Sequence, residues 1–87
     1  MHEQSLMKDL MSKIKAIAGE QSADRVTAVT VRLGALSHIS ADHFKEHFVE
    51  AARGTSAEKA RLNVIVLEDM NDPLAQEIIL DSIEIAE

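Results

Sequence analysis

The sequence predicts an α+β fold in which two helices pack on one face of a three-stranded mixed sheet, in the order α-β-α-β-β. Three observations favour this class. Two segments space their apolar residues as helices do, three segments alternate as strands do, and glycine or proline marks several of the breaks between them. A chain of 87 residues can bury only one modest core. We therefore expect residues 1–87 to form a single domain.

The first predicted helix covers residues 5–18, because its apolar residues recur at helical spacing. Glycine suits the left-handed conformation that often closes a helix, so we expect this helix to end at Gly19. The residues that define its apolar stripe are Leu6, Met7, Leu10, Met11, Ile14 and Ile17.

A second helix is predicted to begin after Ser40, whose hydroxyl can accept a hydrogen bond from the backbone of the first turn. Asp42 lies in that first turn, where a negative charge favours the helix. Gly54 is the predicted stop. The residues expected on the apolar side of this helix are Phe44, Phe48, Val49, Ala51 and Ala52.

Three segments have the character of strands. Apolar and polar residues alternate over residues 25–33, which predicts a strand with one buried face. Residues 62–67 carry apolar side chains on both faces, which favours a central strand. Residues 78–85 form the last predicted strand, and the short break at residues 69–73 favours an antiparallel, hairpin-like pair with the second. The helix between the first two strands permits a parallel crossover.

The composition speaks against several classes of partner. The formal net charge is −6 and only two residues are aromatic, whereas nucleic-acid binding calls for a basic face and stacking platforms. An anionic membrane surface would repel such a chain. No stretch approaches the roughly 20 apolar residues of a membrane span, and lysines interrupt the first helix as no signal peptide would allow. We therefore expect a cytoplasmic protein.

The sequence contains no recognisable catalytic machinery. It has no cysteine, which removes disulfides, thiolate catalysis and cysteine-based zinc sites. Its three glycines stand apart, so they form no phosphate-binding loop. We therefore expect a protein that is not an enzyme.

The amino terminus carries the strongest chemical signal. Met1, His2 and Glu3 bring a primary amine, backbone amides and an imidazole close together, and these nitrogens can close small chelate rings around one ion. The amide nitrogen of Glu3 can complete a planar set of four, and its carboxylate can lie outside that plane. Planar nitrogen ligation suits Ni(II) and Cu(II) rather than Zn(II). The ordinary alternative is that His2 is only a solvated, frayed terminal residue.

Of the three other histidines, two form a second candidate metal site. His43 and His47 lie four residues apart on the second predicted helix, so they share a face and can chelate a metal. The preferred interpretation is an exposed polar face opposite Phe44 and Phe48. His38 stands alone in a loop and is interpreted as a surface residue.

An ordered series of motifs runs along the chain. Its members are Met1-His2-Glu3, Ser5-Leu6, Arg25-Val26-Thr27, Val29, Leu33-Gly34, Leu36-Ser37, Phe44, Phe48, Gly54-Thr55, Ala57-Glu58, Ala60, Leu62 and Ser82-Ile83-Glu84-Ile85. In this order, they resemble the motifs of the HypA/HybF nickel metallochaperones along nearly the full length of the chain. The opening tripeptide is weak evidence, whereas the ordered combination is specific.

The resemblance implies a nickel-binding domain with the element order predicted above. It implies that Ni(II) is held at Met1, His2 and Glu3, with His2 as the essential side chain. It also implies delivery of nickel to [NiFe]-hydrogenase, with a HypB-like GTPase and the hydrogenase large subunit as partners. His43 and His47 match no ligand of the family.

The chain departs from the family at the position of its zinc domain. That domain carries two Cys-x-x-Cys pairs between the last two strands, whereas residues 68–76 contain neither cysteine nor histidine. We therefore expect a short turn in its place and no bound zinc. A metal-free paralogue that acts as an interaction or regulatory module is the alternative function, and a homodimer through a sheet edge is possible.

Overall fold

The computed structural model describes residues 3–22 and 25–86 and confirms the predicted element order. Two helices pack on a three-stranded mixed sheet, which is the predicted α+β class. The elements are α1 (Glu3–Glu20), β1 (Val26–Leu33), α2 (Ala41–Ala52), β2 (Arg61–Val66) and β3 (Ile78–Ile85).

Strand β1 lies at the centre of the sheet, between β2 and β3. It pairs in parallel with β2 and antiparallel with β3, so that Val31 faces Val64 on one side and Leu80 on the other. The parallel crossover is confirmed. The expected central position of residues 62–67 and the expected pairing of the last two strands are wrong, because β1 separates them.

Helix α1 covers the sheet with five buried residues, and Ile14 is completely inaccessible. Ile17 is 37% exposed and therefore lies at the margin of the apolar stripe. The predicted stop at Gly19 is wrong, because the helix continues to Glu20 and the left-handed conformation falls on Ser22, at a φ of 53°. The buried residues of α1 are Met7, Leu10, Met11, Ile14 and Ala18.

Helix α2 begins as the sequence predicts. The backbone N–H of His43 donates a 3.1 Å hydrogen bond to Oγ of Ser40, which caps the helix. Phe44 and Phe48 are buried against the sheet and α1, whereas Val49 is 57% exposed and does not belong to the packed face. Across the described residues, neither helix combines the length and the apolar character that a bilayer crossing requires.

The connection between β2 and β3, residues 67–77, packs against the end of β1. The N–H of Gly34 donates to the carbonyl of Glu77 at 2.9 Å, and the N–H of Leu36 donates to that of Ala75 at 2.7 Å. A methyl group at position 34 would collide with the carbonyl of Ala75, so this approach of two backbones requires glycine. The connection is thus fixed to the fold.

Candidate metal-binding site

The predicted amino-terminal chelate lies largely outside the described residues. Met1 and His2 precede the first described position, and the side chain of Glu3 is also outside the description. The backbone of Glu3 forms the first residue of α1. The geometry of the predicted ligand set therefore stays a prediction, and the structure places only the helix that follows it.

Both helices begin at the same end of the sheet. Leu6, in the first part of α1, lines a small cavity with Ser37 and Glu77, which follow β1 and precede β3. Helix α2 also starts just after β1, and it runs back along the sheet because β1 and β2 are parallel. The two helices therefore run in the same direction, and the first turn of α1 lies at the end where α2 starts.

A groove of about 480 Å³ separates the two helices. Because the helices are parallel, the first lining residue of each, Met7 on α1 and His47 on α2, lies nearest the end where the chain begins. The lining residues are Met7, Lys8, Met11, Ser12 and Lys15 of α1, and His47, Glu50 and Ala51 of α2. This surface combines a histidine, charged side chains and apolar groups.

The structure brings His43 into direct contact with His47, which lines this groove. Their Nε2 atoms are 3.1 Å apart, and the ring centroids are separated by 4.5 Å with the planes tilted by 56°. His43 is exposed as predicted, whereas His47 is half-buried and lines the groove beside Met7, so the predicted exposed polar face holds for His43 only. The sequence allowed a shared helix face, but it did not predict contact between the rings.

The surroundings of the pair carry charges of both signs, since Lys8 and Lys15 line the same groove as His47. Asp42 and Glu46 are exposed on the same helix, and Glu50 forms a 3.1 Å ion pair with Arg53. His38 is exposed in the loop after β1, at a φ of 59°. Within residues 3–22 and 25–86, no three histidine or carboxylate side chains converge to form a ready metal cluster, and no polar side chain is buried.

Two helices packed on a three-stranded mixed sheet, with two contacting histidines on α2, define a small α+β domain. The family model described as "Hydrogenase/urease nickel incorporation, metallochaperone, hypA" matches residues 1–70. The chain therefore belongs to the HypA family, whose members are metallochaperones and not enzymes. The resemblance seen in the sequence is confirmed, although the match leaves residues 71–87 uncovered.

Named relatives agree with this assignment. The chain is 39% identical over 66 residues to "Hydrogenase maturation factor HypA" of Prosthecochloris aestuarii, which covers 76% of this chain and 58% of that protein. It is 36% identical over 66 residues to the protein of the same name from Archaeoglobus fulgidus, covering 76% and 60%. The chain thus spans about six tenths of the length of these relatives.

The solution structure of the Ni metallochaperone HypA from Helicobacter pylori has the same fold. It superposes with a TM-score of 0.80 over 98% of this chain and 97% of that one, at 18% identity. A structure described as that of HypA protein gives a TM-score of 0.76, also at 18% identity. At such low identity, the likeness shows the fold alone.

Proposed function

We propose that this chain is a nickel metallochaperone domain for the maturation of [NiFe]-hydrogenase, and that it binds Ni(II) through Met1, His2 and Glu3. The observation that carries the proposal is the family match, which starts at residue 1 and so includes these three residues. The wording of the family description supports nickel as the cargo.

The chemistry of the three residues supports a planar site. The primary amine of Met1, the imidazole of His2 and the intervening amide nitrogens are the ligands that suit Ni(II). Because α1 begins at Glu3 and packs its inner face on the sheet, the chelating residues would be joined directly to a rigid element. The rest of the fold then serves to hold the chain start at one end of the molecule.

We also propose that residues 67–77 stand where the rest of the family carries its zinc domain, so that residues 1–87 form one nickel-binding domain without zinc. Two findings support this. The family match ends at residue 70, close to the end of β2, whereas the structural likeness extends over 98% of the chain and therefore includes β3. The connection is also fixed by backbone hydrogen bonds to Gly34 and Leu36.

The partners proposed for the domain follow from the family. They are a HypB-like GTPase and the hydrogenase large subunit, and the proposed compartment is the cytoplasm. A homodimer through the β2 edge is a further proposal, because Ile65 and Val66 on that strand are 43% and 57% exposed.

Calorimetric titration of untagged protein with Ni(II) tests the metal site. His2→Ala should weaken binding by at least about 100-fold, because loss of a direct ligand should reach or exceed the roughly 10–100-fold cost of losing an outer-sphere partner. His38→Asn is the matched control, since His38 is an exposed histidine at positive φ and asparagine tolerates that conformation. Its affinity should equal that of the unaltered chain.

Equal nickel affinity for the unaltered chain and His2→Ala would remove the proposed function. The metal-free interaction module would then be the better description. Capture of a HypB-like GTPase that is unchanged by His2→Ala would support that module directly.

A further inference from the structure

The separation of the two imidazoles on α2 equals the bite of a metal chelate. Zinc and similar ions bind imidazole nitrogen at about 2.0–2.1 Å, so two such ligands at 90–110° lie roughly 2.8–3.4 Å apart. The Nε2 atoms of His43 and His47 are 3.1 Å apart. Two histidines four residues apart on one helix are also the arrangement that helical zinc motifs use.

The contact between the rings prepares this geometry before any ion arrives. One Nε2–H can donate to the other Nε2, which holds both rings with their Nε2 atoms facing each other. When an ion binds both Nε2 atoms, the ring that carries the shared proton must move it to its own Nδ1, so that both rings stay neutral while their Nε2 atoms face the ion. The Ser40 cap fixes the first turn of α2, in which His43 lies.

The charges around the pair favour a cation on balance. Asp42 and Glu46 are exposed neighbours on α2 and contribute negative potential, and the chain as a whole has a net charge of −6. Lys8 and Lys15 line the groove from α1 and act in the opposite direction. The two rings supply the ligands, and water can complete the coordination because His43 is exposed.

The pair also lies close to the start of the chain. Met7 and His47 line the same groove between two parallel helices. Glu3 and His43 each lie four residues, about one turn, before these two residues. The backbone of Glu3 and that of His43 therefore lie at the same end of the helix pair.

We propose that His43 and His47 form a second divalent-metal site, an imidazole pair that binds Zn(II), Ni(II) or Cu(II) separately from the amino-terminal chelate. The four planar positions of the amino-terminal chelate would already be filled by nitrogens of the first three residues. His43 and His47 are therefore not needed as ligands of that chelate. The second site goes beyond the proposed function and does not depend on it. Its position would allow it to collect an ion beside the chain start.

The test uses the full-length chain with His2→Ala, and Zn(II) as the probe, because Zn(II) favours tetrahedral imidazole ligation over the planar site. One Zn(II) per chain should bind and shift the imidazole nitrogen signals of His43 and His47 but not those of His38. Adding His43→Ala or His47→Ala should weaken this binding by about tenfold or more, within the range that perturbed metal sites show. Circular dichroism should show the same helix content.

A rearranged pair separates geometry from histidine content. Lys45→His combined with His47→Ala keeps two histidines on α2 but places them two residues apart, on different faces of the helix. This variant should not recover Zn(II) binding. The second site is overturned if Zn(II) affinity is unchanged by His43→Ala and His47→Ala, if the rearranged pair binds equally well, or if the His2→Ala chain binds no Zn(II). None of these outcomes bears on Ni(II) binding by the unaltered chain, which tests the first site alone.

Discussion

Helix α2 carries two pairs of rings with the same four-residue spacing, displaced from each other by one position. Phe44 and Phe48 are 0% and 2% exposed and lie against the sheet and α1. His43 and His47 lie on the solvent side, where their rings approach to 4.5 Å between centroids, compared with 6.4 Å for the phenylalanines.

One face of α2 holds the fold together, and the neighbouring face can bind a ligand. Spacing alone puts each pair on one face of the helix. Burial then gives the phenylalanines a role in packing, whereas the two imidazole rings lie partly in solvent and contact each other through Nε2. Variants on the two faces should therefore change different measured quantities, stability on one side and metal affinity on the other.

The largest effect is expected from the packed face. Phe44→Ala should lower the free energy of unfolding by about 3–5 kcal/mol, because it removes a large buried side chain and leaves a cavity. Urea denaturation followed by circular dichroism measures this. A loss below about 1 kcal/mol would show that Phe44 is not a core residue, since such small costs are typical of surface sites.

A smaller loss in the free energy of unfolding is expected from a substitution where the β2–β3 connection meets β1. Gly34→Ala should cost about 1–3 kcal/mol, because its methyl group would overlap the backbone at Ala75. Gly19→Ala is the matched control, since Gly19 lies within α1 with open space around it and should gain roughly 0.5–1 kcal/mol. Equal effects from the two substitutions would contradict the close approach at Gly34.

The cap of α2 should have a more modest influence. Ser40→Ala should lower stability by about 1 kcal/mol, because the N–H of His43 loses its side-chain acceptor. Ser40→Asp should restore most of this loss, since aspartate also caps helices. If Ser40→Asp and Ser40→Ala are equally destabilised in thermal unfolding, the cap does not determine the effect.

The smallest change in stability is expected on the solvent side. His43→Ala should alter the free energy of unfolding by no more than about 0.5 kcal/mol, because the side chain is exposed and its backbone hydrogen bond is retained. Chemical denaturation in the presence of a chelator measures this without bound metal. A loss comparable to that of Phe44→Ala would erase the distinction between the two faces.

Local pattern was sufficient to predict the elements but not their neighbours. The two helices, strand β1 and the Ser40 cap depend on residues close in sequence, and the structure confirms them, although Val49 lies outside the packed face of α2. The position of β2 in the sheet does not follow from residues close in sequence. Apolar residues on both faces suggested a central strand, yet β1 occupies the centre, between β2 and β3. Ile65 and Val66 therefore remain exposed on an edge strand.

Of the two candidate sites, one could be predicted from residues close in sequence and the other could not. The chelate of Met1, His2 and Glu3 could be proposed from sequence, because its ligands are consecutive and largely backbone atoms. The contact between His43 and His47 could not, because side-chain rotamers and the position of α1 decide how the rings meet. The approach of Gly34 to Ala75 likewise joins residues that are distant in sequence.

The central proposal is that Met1, His2 and Glu3 bind Ni(II), with the amine of Met1 and the imidazole of His2 among the ligands. The most direct measurement is the absorption spectrum of untagged protein with one equivalent of Ni(II), compared with the same chain carrying Gly-Ser before Met1. A planar nitrogen-ligated spectrum is expected from the untagged chain and should disappear with the extension, because the primary amine becomes an amide. The same planar spectrum from both chains would contradict the claim.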